Sequence, residues 1–233
     1  MEPGSPFLAL RTGRPEGTPY DLVVHDLGAV RVPSGRLEAS DPYVTLGEGL
    51  EVPVPAGTYP VRVTVADVSQ EQDGSHLREA YLSVVLADAP AAEVRPFVPE
   101  GRSTTDEAGE PLWFGVGVDA GAVGFADARA VRVATAAVDD WYEEVVDHGG
   151  ADSWFALQDS ADHLVVGAAN APLPHAGDGE NVVLSHSGWG DGFYPVVTTH
   201  DAGGALTGVH IDLQVVEAVP WWEAEGDDAA PGD

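Results

Sequence analysis

The stretch Thr58-Tyr59-Pro60-Val61-Arg62-Val63-Thr64-Val65-Ala66-Asp67-Val68 alternates between two kinds of side chain. Tyr59, Val61, Val63 and Val65 fall on one face, and Arg62, Thr64 and Ala66 on the other. That period of two belongs to a half-buried strand, because a helix would scatter the valines around its circumference. Ala80, Leu82, Val84 and Leu86 repeat the pattern. So do Val209, Ile211, Leu213 and Val215, against His210, Asp212 and Gln214. Shorter runs predict strands at 21–32, 93–98, 113–118, 122–126, 154–158, 163–168, 181–185 and 193–200. Gly, Pro and Asp fill nearly every gap, as turns require. Asp201-Ala202-Gly203-Gly204 predicts a hairpin that pairs His200 with Ala205. In that register His200 and His210 lie on opposite faces and cannot share an ion, and the polar partners of the last strand face solvent.

One segment breaks the period. Ala134, Val138, Trp141 and Val145 recur at helical spacing, with Asp139, Asp140, Glu143, Glu144 and Asp147 on the solvent side. A single helix is predicted from about 128 to 147. Asp127 would cap it by accepting from the free amides of the first turn, and Gly149-Gly150 would end it. The expected fold class is therefore mainly β, with antiparallel, sandwich-like sheets and one packed amphipathic helix. Residues 1–19, rich in Gly, Pro and Arg, read as a loose arm. Residues 20–222 read as one β-rich domain, with the loop 99–111 between two halves. Residues 223–233 read as a disordered acidic tail.

Composition narrows the chemistry. The 233 residues carry no cysteine and no lysine, and 10 arginines against 39 acids, for a formal charge of −29. Zero cysteine excludes disulfides, thiolate zinc sites, iron–sulfur clusters and cysteine nucleophiles. Zero lysine excludes Schiff-base chemistry and the phosphate-binding P-loop. The charge argues against nucleic acid and anionic membranes, which need a basic face. It suits a basic protein or a small polar ligand as partner. A single isoleucine and 32 alanines point to a GC-rich genome; a salty habitat is the rival explanation of the acidity. The first six residues lack the basic and apolar regions of a signal peptide, and no apolar run approaches the roughly 20 residues that cross a bilayer, so a cytoplasmic location is expected.

Three clusters could carry chemistry. Ser185-His186-Ser187-Gly188-Trp189-Gly190-Asp191-Gly192-Phe193-Tyr194-Pro195 packs three glycines into five residues, which permits positive φ and close backbone approach. Ser187, Gly188, Gly190, Asp191, Gly192 and Tyr194 form a candidate ligand cradle there; a tight connection between strands is the plainer reading. Gly117-Val118-Asp119-Ala120-Gly121 leads through Phe125 to Asp127, so that Asp119 is either a turn residue or an acid, base or metal ligand. Pro33-Ser34-Gly35-Arg36 to Ser40-Asp41-Pro42 contains Arg36, which is expected to pair with a carboxylate. Serine-elbow, zinc-helix and dinucleotide-turn motifs are absent from the sequence.

These three stretches, with Pro55-Ala56-Gly57-Thr58-Tyr59-Pro60-Val61 between the first two, resemble the domain-of-unknown-function family 4241. The resemblance spans about residues 25 to 216. It departs at Val196-Val197-Thr198-Thr199-His200-Asp201, which lacks the aromatic "Tyr-Trp-Gly-Tyr-Asp" associated with that family. It implies a single β-rich domain and no particular activity. The expected function is a soluble cytoplasmic binding module without catalysis. The alternative is a hydrolase-like or divalent-metal enzyme with oxygen ligands from Asp41, Asp119, Ser187 and Asp191. No cofactor is expected; calcium or magnesium would suit those oxygens, with Asp119 and Asp191 as the metal ligands.

Overall fold

The valine face of the opening stretch becomes the inner face of β4 (Gly57–Asp67), where Val61 and Val63 are fully buried. The computed structural model describes residues 7–106 and 108–216; the expected acidic tail at 223–233 lies outside them. β4 pairs on one side with β1 (Asp21–Val32) and on the other with β5 (Leu77–Val85). The sheet continues through β12 (Leu206–Asp212) and β11 (Gly192–His200) to β6 (Glu93–Pro96). β7 (Gly115–Val118) pairs with the start of β11. A second sheet runs β3 (Leu50–Pro53), β2 (Arg36–Ser40), β8 (Ala122–Asp127), β10 (Asn181–His186) and β9 (Ala168–Pro172). All pairings between these strands are antiparallel. β6 and β7 flank the loop 99–111 and both pair with β11, so this loop does not part the sheets.

The main core lies between the two sheets. Val61, Leu82, Val84 and Ile211 of the first meet Leu37, Phe125 and Val183 of the second. The far side of the second sheet is also covered, by α1 (Ala128–Ala137), a π-helical turn at Tyr142–Val146 and α2 (Trp154–Asp159). Hence β10 reads Val182-Val183-Leu184 without alternation: both of its faces are buried. Among the described residues no helix is long and apolar enough to cross a membrane.

Several expectations need correction. The helix predicted over 128–147 breaks at Val138, whose backbone is extended (φ −114°, ψ 126°). The Asp140 carboxylate then accepts from the Glu143 amide and starts a separate turn. The apolar stripe survives the break, since Ala134, Val138, Trp141 and Val145 all pack in the second cluster. The segment 154–158, expected as a strand, is α2. Ser153 caps it by accepting from the Ala156 amide, so a local cap outweighs the strand preference of Trp154 and Phe155. Residues 163–167 are turns, and the strand follows them at β9. β2 and β3 form where no strand was expected. The alternation there is masked by Glu38, which is buried and accepts from the Gly47 amide at 2.7 Å.

The outer face of the first sheet, expected to be solvated, is covered instead. Thr64, Tyr81, Ser83 and His210 all lie on it, and all are buried. Residues 7–10, expected as part of a loose arm, cover it. Leu8 and Ala9 are buried, the Leu10 amide donates to Thr64 Oγ1, and the Phe7 ring stands edge-on to both Tyr81 and His210. The two nitrogens of His210 are held by Ser83 Oγ at 2.9 Å and Thr199 Oγ1 at 3.1 Å. A bulge at Thr199/His200 shifts the expected register, yet His200 still bonds Thr198 while His210 bonds Thr199, so the two rings remain on opposite faces.

The joint between the sheets depends on β1. Gly28 adopts φ +81° at a bulge, and the strand beyond it runs beside the second sheet. Its edge is satisfied by the only two asparagines in the chain. Asn170 donates to the Leu27 carbonyl, Asn181 donates to that of Ala29, and the Arg31 amide donates to Asn181.

Burial pushes His210 down to about 3, so the folded protein keeps it neutral while the unfolded chain takes up a proton below about pH 6.5. Its contribution is complete above 6.5 and is lost as pH falls toward 3, at about 1.4 kcal/mol per pH unit. Asp212, on the same face, is pushed up to about 6 by burial and acts in the opposite sense between 3.8 and 6. Comparison of wild type with His210→Gln by urea denaturation removes the Asp212 contribution. The wild type's stability advantage is expected to shrink steadily from pH 7 to pH 4; a pH-independent difference would contradict a neutral buried His210.

Candidate functional site

β2 ends at Ser40, and the next residue, Asp41, is completely buried at the start of the loop that leads to β3. Its Oδ2 accepts from the amides of Asp119 and Ala120, both at 2.9 Å, and its Oδ1 accepts from the Tyr43 amide at 3.0 Å. Asp119-Ala120-Gly121 is the turn that carries the chain from β7 in one sheet to β8 in the other. Gly121 has φ +65°, and its carbonyl accepts from the Ser187 amide at 3.0 Å. Ser187 opens the turn that returns the chain from β10 to β11, where Gly192 pairs with Val118. Residues about eighty positions apart thus meet at one seam.

The meeting is made by backbone. Ser187 Oγ and the Tyr194 hydroxyl both donate to the Gly190 carbonyl, at 2.7 and 2.8 Å. Gly188 and Gly190 take φ of +71° and +95°, the left-handed conformation that glycine adopts without strain. The side chains expected to form a polar site therefore divide into two groups. Asp41, Ser187 and Tyr194 are buried and bonded to main chain. Asp119 and Asp191 are exposed, and among the described residues no group of three His, Asp or Glu side chains could hold a metal ion.

The other motif residues also bond to neighbouring segments. Asp127 caps α1 through the Arg129 and Ala130 amides, and its second oxygen accepts from the Ser34 amide at 2.8 Å. It ties the Pro33–Gly35 turn to the helix. Arg36 lies 3.6 Å from Glu51, which also pairs with Arg132. The Tyr59 hydroxyl donates to the Pro55 carbonyl and passes so close to Gly57 that a Cβ there would lie 2.7 Å from it.

What the turn presents outward was not legible in the motifs. Trp189 and Phe193 are 54% and 50% exposed. The Arg78 guanidinium lies 5.6 Å from the Trp189 ring centre, and His76 stands edge-on to the same ring. Under the turn, a Cβ on Gly188 would collide with the Glu79 carbonyl and the Val215 side chain, both at 2.6 Å. Glu79 faces His186 at 3.8 Å, and burial holds its carboxyl above the usual range. Glu79, Arg78 and His76 precede or open β5, far from the glycine turn in sequence, and nothing local marks them.

A model of the family described as "Protein of unknown function (DUF4241)" matches residues 30–211. No curated protein and no solved structure matches the chain.

Replacing Asp41 with Ala removes a buried acceptor of three amides and leaves them without a partner. A loss of about 3 kcal/mol is expected in urea denaturation. Asp119→Ala and Asp191→Ala, at exposed positions, are expected to cost less than about 0.5 kcal/mol. Equal losses at all three positions would contradict a bracing role specific to Asp41.

Proposed function

We propose that this chain, which belongs to the DUF4241 family, is a cytoplasmic binding module rather than a catalyst, and that it meets a protein partner through the turn between β10 and β11. One observation carries the reading. The turn is anchored from inside by two hydroxyls on the Gly190 carbonyl, while Trp189 and Phe193 stand in solvent. Holding large aromatics rigidly in water lowers the ordering cost of binding, and Trp, Tyr and Arg dominate contact energies at protein interfaces. Arg78 stacked on Trp189 adds a second side chain of that kind.

The alternative, an oxygen-ligand or hydrolytic site, would draw on Asp41, Asp119, Ser187 and Asp191. It would have to release Asp41 from three amides and Ser187 from a carbonyl, at the expense of the seam. That weighs against it.

Two measurements test the proposal. Immobilised wild-type protein is expected to retain a discrete polypeptide from native extract, and the Trp189→Ser/Phe193→Ser variant, with unchanged Tm, to lose it. Retention of the same polypeptides by both would sink the turn as the contact surface. Melting with calcium or magnesium against EDTA, at matched ionic strength, is expected to show no ion-specific shift. A shift of a few degrees abolished by Asp191→Ala would bring back the metal site.

A further inference from the structure

The arginines are distributed unevenly. All ten lie at or before Arg132, while residues 133–216 carry thirteen acids. Eight of those acids fall between Asp139 and Asp162, on the segments that cover the second sheet, and all eight are exposed. Among the described residues the only ion pair they make is Asp152 with His148, at 3.7 Å. Arg132, which precedes the stretch, is engaged by Glu51. Within this face lies a groove of about 170 Å³. Its floor is apolar, formed by Val145, Trp154 and Leu173, and its rim carries Glu144, His148 and Asp152.

Size and charge together select an occupant. Small-molecule sites usually enclose about 300–1,000 Å³, so this groove suits a single side chain. An apolar floor beneath a carboxylate rim matches one kind of side chain, a long aliphatic stem ending in a cation, which packs its methylenes and leaves its charge at the edge. The other acids on the face would draw a positively charged chain toward the groove and raise its association rate. We propose that the groove between the π-helical turn, α2 and the end of β9 receives an arginine or lysine from a basic segment of a protein partner. The proposal rests on the reading of the chain as a binding module. It uses a different surface from the Trp189 turn.

A fluorescein-labelled hexa-arginine peptide is the probe, followed by fluorescence anisotropy at about 50 mM salt, where the Debye length still spans the face. Glu144→Gln/Asp152→Asn removes two rim charges. Glu16→Gln/Glu71→Gln removes the same charge from exposed positions outside the groove. The rim variant is expected to bind about tenfold more weakly than wild type, and the control within about twofold. Equal weakening in both would overturn the proposal, because it would reduce binding to general attraction by the net charge. Trp189→Ser/Phe193→Ser should bind the peptide as wild type does. Loss of rim dependence alongside intact capture by the Trp189 turn removes this inference alone. Rim-dependent peptide binding without any capture by the turn removes the turn reading alone.

Discussion

The buried carboxylate of Asp41 ties the end of β2 to the turn by which the chain crosses from β7 in one sheet to β8 in the other. It accepts from the turn joining β7 to β8 and from the start of the loop after β2. The same turn, through Gly121, receives the first amide of the turn joining β10 to β11. A carboxylate bonded to several amides is a strong acceptor, and its removal leaves three donors without that partner. The three segments have no disulfide between them, since the chain lacks cysteine, and lie far apart in sequence. The seam persists because each satisfies the backbone of another. The Asn170 and Asn181 side chains do the same for the edge of β1.

That division of labour explains why a polar, glycine-rich set of motifs need not be a reaction centre. Acids, serines and glycines are what a catalytic site requires, and they are also what sharp crossings between sheets require. Glycine supplies positive φ, and short polar side chains satisfy amides that no strand pairs with. What distinguishes the two uses is where the polar atoms point. Ser187, Tyr194 and Asp41 all point at main chain, whereas Trp189, Asp191 and Phe193 face solvent.

The outer face of the first sheet follows a different rule. Thr64, Ser83, Thr199 and His210 form a buried polar layer in which the ring nitrogens of His210 are bridged by hydroxyls. The face stays dry because residues 7–10 lie over it, with Phe7 against His210. Buried polar groups are tolerated when their partners are complete, and an uncharged imidazole between two hydroxyls meets that condition.

The amino-acid sequence by itself determined the class of the fold. The alternation at Val61–Val65, Leu82–Val84 and Val209–Ile211 is a one-dimensional record of which face is buried, and it needs no distant contact to be read. The Asp127 cap, the hairpin at 201–204 and the family motifs were legible for the same reason, since each is settled within a few residues. The tertiary structure decided everything that depends on a second segment arriving. Whether His210 is wet depends on Phe7, and whether the Asp41 carboxylate finds partners depends on the amides of Asp119 and Ala120. Burial and hydrogen-bond partnership belong to pairs of segments brought together by the fold, and sequence periodicity records only one member of each pair.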